Sequence, residues 1–289
     1  MKIKYYYKVA GLYFSITTKN PSIMKDFSNY TPFENNQPGH CTFDVEIESF
    51  TDENKIPYYN KVINGNAPQI AVFRCAEKWL FEISAAYNLP CQAKLLTSAD
   101  FKKAKLMFSE RADLHFVIDT TTMLMFALAN TDSALEMHAS VVVKDNKGYL
   151  FLGKSGTGKS THTRLWLENV ANTVLLNDDN PIVRTHNSGS VMVYGSPWSG
   201  KTHCYHNYGV PVGGIVKLNQ SKQNRIERKS IPEAYAAIFS SVSGLKTNPE
   251  TNEILHKTME RIAVTIPFYK LDCLPNPDAA LLCSKTILQ

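Results

Sequence analysis

The chain has 289 residues, 44% of them hydrophobic and 20% charged, which is enough apolar material for a sizeable core and suggests two domains rather than one. Its net charge of +5 is a mild surplus, too small and too scattered for a nucleic-acid partner. The N-terminus lacks a signal-peptide core, no apolar run approaches a membrane span, and the six cysteines form no C-x-x-C pair, so the expectation is a cytoplasmic protein with reduced thiols and no zinc site.

Residues 1–115 read as a β-rich accessory domain. Aromatic and β-branched runs at 5–10 and 12–17 flank Gly11 and predict two strands or one bent strand. Residues 21–39 carry three prolines and predict mostly loop. Between 42 and 48 the pattern alternates: Phe43, Val45 and Ile47 face one side, while Asp44, Glu46 and Glu48 form a solvated outer face. Residues 70–82 predict two more strands, with Trp79 in the core. The basic run Lys102-Lys103-Ala104-Lys105 reads as a solvated face. Nothing here names a chemistry. The domain has the place of a substrate-positioning or assembly module, and a homo-oligomer is one form this leaves open.

Residues 116–289 read as an α/β nucleotide-binding domain. A buried helix is predicted over 120–130, with Met123, Leu124, Phe126, Ala127 and Leu128. A hairpin follows, with strands at 141–144 and 149–152 around a turn at 145–148. It leads into Gly153-Lys154-Ser155-Gly156-Thr157-Gly158-Lys159-Ser160-Thr161, and then into a helix over 161–168. Strand, glycine loop and helix N-terminus are the context that the phosphate-loop motif G-x-x-x-x-G-K-[ST] requires. Gly153, Gly156 and Gly158 let backbone N–H groups of the loop, Ser155 and Thr157 included, turn toward phosphate oxygens. The helix dipole adds positive potential around Ser160 and Thr161. Lys159 is expected to reach the β- and γ-phosphates of ATP, and the Ser160 hydroxyl to ligate Mg²⁺. His138 precedes Gly153 by fifteen residues, and the hairpin brings it back toward the phosphates.

A strand at 173–176 ends in Asn177-Asp178-Asp179-Asn180-Pro181. Paired carboxylates at a strand end beside a phosphate loop suit two tasks, holding Mg²⁺ and accepting a proton from an attacking hydroxyl. A second hairpin, 182–184 with 191–194, precedes Gly195-Ser196-Pro197-Trp198-Ser199-Gly200-Lys201-Thr202. That stretch predicts a loop over the site with Trp198 exposed, and Lys201 is a candidate contact to the γ-phosphate or the substrate. His203, Cys204 and His206 lack a fourth ligand and are not read as a metal site. A strand at 213–218, a polar basic connector at 219–229, helices at 231–239 and 251–262, a strand at 268–273 and a helix at 278–286 complete the chain. Cys273 and Cys283 read as buried thiols.

Taken together, His138, the loop 153–160 and the pair Asp178-Asp179 resemble the C-terminal kinase domain of HPr kinase/phosphorylase, which shares a nucleotide fold with phosphoenolpyruvate carboxykinase. The resemblance covers roughly residues 135–220. It implies an α/β phosphate-loop domain of that type and Mg²⁺-dependent transfer of the γ-phosphoryl group of ATP to a hydroxyl, such as a serine of a protein or peptide. Asp178 would be the proton acceptor with His138 beside it, and Asp179 would support the metal. The family's Glu-x-Arg-Gly run after the acidic pair is absent, and residues 195–201 stand in its place. The second metal ligand is therefore unassigned, Arg225 and Arg228 match the family's later arginine by type only, and the acceptor is expected to differ from HPr. Two other readings stay open: a nucleotide sensor without turnover, and a carboxykinase-like enzyme, which would need an arginine-rich dicarboxylate site and a second metal.

Overall fold

The computed structural model describes residues 1–24, 27–36, 39–48, 56–60, 68–200 and 202–289, and the chain divides into two compact units, Met1–Ala129 and Asn130–Gln289. Among the described residues no helix is long and apolar enough to cross a membrane.

In the first unit, strands β1 (Ile3–Val9), β2 (Leu12–Thr18), β3 (Cys41–Ile47), β4 (Ile56–Asn60), β5 (Gln69–Cys75), β6 (Lys78–Ser84), β7 (Ala93–Thr97) and β8 (Lys103–Phe108) form one sheet. Their order is β1-β2-β3-β8-β7-β6-β5-β4. Ala10 and Gly11, with φ of 52° and 77°, make the tight turn between β1 and β2, the mirror-image type that suits strand twist. The basic run lies at the start of β8, where Ala104 is buried and Lys103 and Lys105 point outward, as period 2 dictates.

Helix α1 (Leu114–Ala129) begins earlier than the apolar pattern suggests, because the Asp113 carboxylate accepts the Phe116 N–H and caps it. Phe126 meets Phe43 edge-on, with ring centroids 6.4 Å apart, and Phe43 stacks on Phe14 at 4.9 Å. These contacts place α1 with the first unit, which ends at Ala129.

The second unit contains β9 (Ala134–Glu136), β10 (Ala139–Lys144), β11 (Lys147–Leu152), α2 (Lys159–Asn169), β12 (Val174–Asp179), β13 (Ile182–Thr185) and β14 (Val191–Tyr194). It continues through β15 (Gly209–Gln220), β16 (Arg225–Arg228), α3 (Ile231–Ser241), α4 (Pro249–Thr265), β17 (Phe268–Cys273) and α5 (Pro277–Ile287). The sheet runs β12-β10-β11-β15-β14-β13-β9, and β17 pairs with both β15 and β16. β15 is parallel to β11 and to β17, while β10 is antiparallel to both of its neighbours.

Both faces of this sheet are covered. Val141, Leu150 and Ile215 cluster with Ile238 of α3 and Leu255, Met259 and Ile262 of α4. Their immediate chain neighbours Val142, Phe151 and Val216 cluster with Leu165 and Trp166 of α2 and Cys283 and Ile287 of α5. Consecutive residues of a strand point to opposite faces, so near-continuous apolar strands are what a doubly covered sheet needs. Two expectations are corrected. The connector at 219–229 contains β16, a charged edge strand whose Arg225 and Ile226 pair with Asp272 and Leu271 of β17. Trp198 is buried at 3% exposure; a large ring gains more from packing than a loop position suggests.

Candidate phosphate-binding site

The site forms at one edge of the second unit's sheet. Ala139 at the start of β10 pairs with Leu152 at the end of β11 on one side, and with Asp179 at the end of β12 on the other. Adjacent strands lie about 4.8 Å apart, so the loop that leaves Leu152 and the carboxylates that end β12 are held about 10 Å apart. His138, the residue before β10, emerges between them.

The loop owes its path to two glycines. Gly156 and Gly158 have φ of +80° and +102°, and a Cβ at either would meet nothing within 4 Å. Backbone conformation, rather than crowding, is what demands glycine at these places. Left-handed residues set among right-handed ones curl the main chain into a concave nest of N–H donors. Helix α2 starts at Lys159, and its N-cap, Gly158, supplies no side-chain acceptor. The N–H groups of its first turn and the positive end of its dipole are thus available to an anion.

Lys159 is 8% exposed. Its Nζ donates to the Gly153 carbonyl at 3.0 Å and lies 2.8 Å from His138 Nε2. His138 Nδ1 lies 3.0 Å from Asp179 Oδ1. An ammonium only donates and a carboxylate only accepts, so Nε2 must accept and Nδ1 must carry the proton. The result is an ordered chain, Lys159 to His138 to Asp179. Burial draws the Lys159 pKa below the usual lysine range, against the pull of the Asp179 and Asp178 charges.

Asp178 belongs to a second chain. Ser140 Oγ lies 2.7 Å from Asp178 Oδ1 and 2.6 Å from Thr163 Oγ1 of α2. Ser140 has one hydroxyl proton, which the carboxylate takes, so Thr163 donates to Ser140 and Ser140 to Asp178. On the other oxygen, Thr202 Oγ1 donates to Asp178 Oδ2 at 2.6 Å. The Asp178 N–H donates to Ser199 Oγ at 3.2 Å. The buried Asn177 side chain accepts the N–H groups of Asp179 and Asn180 and donates to Ser196 Oγ. At Gly200 a Cβ would come 2.9 Å from the Asp179 Cβ. The loop after β14 therefore lies against the acidic pair, although Lys201 falls outside the described residues.

The sequence-predicted residues thus meet at this edge in a different pairing. His138 contacts Asp179 and Lys159, not Asp178. Ser155 and Ser160 are exposed, Thr157 and Thr161 half-buried. His203 bonds Tyr205, and the Cys204 thiol points to the Leu175 carbonyl. Among the described residues, no group of three or more His, Cys, Asp or Glu side chains is arranged to hold a metal ion.

Ser140, Thr163, Thr202 and Glu136 were not singled out from sequence. Thr163 had a signal, since it follows Lys159 by four, one turn along α2. Glu136 is fully buried, neither carboxylate oxygen has a hydrogen-bond partner, and desolvation pushes its pKa up to about 7.

No protein-family model matches the chain, and no curated protein matches it. Among solved structures it is similar to the Hpr(Ser) kinase/phosphatase from Coxiella burnetii, at 14% sequence identity and a TM-score of 0.29, covering 53% of this chain and 93% of that one. The likeness is weak and partial.

Proposed function

We propose that the unit Asn130–Gln289 binds ATP with Mg²⁺ and transfers the γ-phosphoryl group to a hydroxyl of an acceptor. The observation that carries this reading is the meeting, at the ends of β11 and β12, of a loop with two left-handed glycines, Lys159 and two hydrogen-bonded aspartates. Main-chain N–H groups of 153–161 would hold the phosphates, and Lys159 would exchange its bonds to Gly153 and His138 for phosphate oxygens. Ser160 and Asp179 would hold Mg²⁺, which when bound neutralises charge on the β- and γ-phosphates. Asp178, oriented by Ser140, is the group placed to accept the acceptor's proton once Thr202 moves off its second oxygen. Positioning and charge would supply most of the rate.

One observation favours the sensor reading as the alternative: both Asp178 oxygens are already engaged, by Ser140 and Thr202. Incubation with γ-labelled ATP, Mg²⁺ and cell extract separates the two. The kinase reading expects label in an acceptor, lost on Asp178→Asn. ATP binding without label transfer to any acceptor would leave the sensor.

A further inference from the structure

The motif and its acidic pair do not account for one side chain at the phosphate loop. Gln220 is the last residue of β15, which runs parallel to β11 with Lys217 opposite Leu152. Three residues further on, β15 has passed the end of β11 and stands beside the loop. Its backbone there is held by pairing with Cys273 of β17. From this anchored position the Gln220 side chain reaches across sixty-odd residues of sequence. Its Nε2 donates to the Gly156 carbonyl at 3.2 Å and to the Thr157 carbonyl at 3.4 Å. A primary amide has two N–H groups, so each carbonyl can take one.

The consequence follows from peptide geometry. In a planar trans peptide, the C=O of one residue and the N–H of the next point in opposite directions. A carbonyl of Thr157 held toward Gln220 turns the Gly158 N–H the other way, while the Thr157 N–H donates to the Lys154 carbonyl at 3.1 Å, so that the bond to the Gly156 carbonyl steadies the turn. One donor in the middle of the loop, the Gly158 N–H, is therefore aimed from outside it, by a group that would not touch the nucleotide itself. Gly156 and Gly158 need such a constraint most, because glycine leaves the backbone the widest choice of conformations.

We infer that Gln220 is a positioning residue for the phosphate-binding loop, fixing the Gly158 N–H toward the bound phosphates before the nucleotide arrives. The inference rests on the nucleotide reading above, and it adds a residue that lies outside the motif.

The test has a ligand-free arm and a ligand arm on the full chain. In the ligand-free arm, the Gly158 amide resonance and hydrogen-exchange rate of Gln220→Ala are compared with wild type, together with the neighbouring loop amides. The expected result is a shifted Gly158 resonance and exchange about five- to tenfold faster at that amide, from the loss of two shared hydrogen bonds. In the ligand arm, ADP affinity should fall by about the same factor. Gln220→Glu should lose more, since it keeps the length but presents a carboxylate to two carbonyls. If an acceptor is found, the KM for ATP should rise while kcat stays within about twofold, a split that removal of uniform ground-state binding produces. Gln220→Ala loop amides that superimpose on wild type, or an unchanged ADP affinity, would overturn the inference and leave the nucleotide reading standing. A wild-type chain that takes up no ADP, while its loop amides respond to Gln220→Ala, would overturn the nucleotide reading and the phosphate role with it.

Discussion

Ser140 is the point at which the acidic strand, the central strand and α2 are joined by side chains, and its removal has a calculable outcome. Ser140 is 0% and Thr163 2% exposed, so neither hydroxyl has water to turn to. Ser140→Ala strips Asp178 Oδ1 of a donor and leaves the Thr163 hydroxyl without its acceptor. An orphaned buried polar group costs about 1–3 kcal/mol, so the loss should lie toward the upper part of that range. Thr163→Val keeps the shape and leaves the Ser140 to Asp178 bond in place, so it should cost about 1 kcal/mol. The double variant cannot lose the shared bond twice. Its loss should fall about 0.5–1 kcal/mol short of the sum of the singles. Native-state hydrogen exchange at the β12 amides reads these free energies locally. Losses that add to within about 0.3 kcal/mol would refute the directed chain from Thr163 through Ser140 to Asp178.

Gly158→Ala tests the nest itself: φ of +102° lies where L side chains are strained by about 1–2 kcal/mol, with no clash to relieve, so denaturation should show that loss and ADP affinity should drop with it. Glu136 predicts a pH dependence. Its pKa is raised from 4.5 to about 7 in the fold, so the folded state holds the proton more tightly than the unfolded chain. The stabilisation is complete below pH 4.5 and is lost as pH rises through about 7, a fall on the order of 3 kcal/mol. Glu136→Gln should flatten that slope in a pH series of urea midpoints and be the more stable form at pH 8. Asp178→Asn should keep ADP affinity within about threefold while transfer falls by about a hundredfold or more, the usual size of a general-base contribution; full retention of transfer would remove Asp178 from its role.

Local pattern carried the elements whose chemistry is written in adjacent residues. The alternation of Phe43, Val45 and Ile47 marked β3. The run 149–152 before the glycine loop marked β11, and the apolar spacing of Ile254, Leu255, Met259 and Ile262 marked α4. What local pattern could not carry was partnership across the chain. β9 is three residues long and exists because β13 pairs with it. β16 is mostly charged and is a strand because β17 lies beside it. The division between units could not be read from α1 alone, since Phe126 is placed by Phe43, far upstream. At the candidate site, the fixed spacing of glycine, lysine and hydroxyl residues is what marks out the stretch 153–161. The ties that aim them, Ser140 to Asp178 and Gln220 to the loop carbonyls, join ordinary polar residues distant in sequence. His138 contacts Asp179, and because neighbouring residues of a strand such as Asp178 and Asp179 point to opposite faces, sequence alone does not say which of them faces the histidine.

The most direct measurement is calorimetric titration of the purified chain with ADP and ATP in the presence of Mg²⁺, wild type beside Lys159→Ala. The account predicts saturable binding of one nucleotide per chain in wild type, and affinity about ten- to a hundredfold weaker once the charged donor to the phosphates is gone. Wild-type protein that shows no heat of binding with either nucleotide, or a Lys159→Ala variant that binds as tightly as wild type, would contradict it.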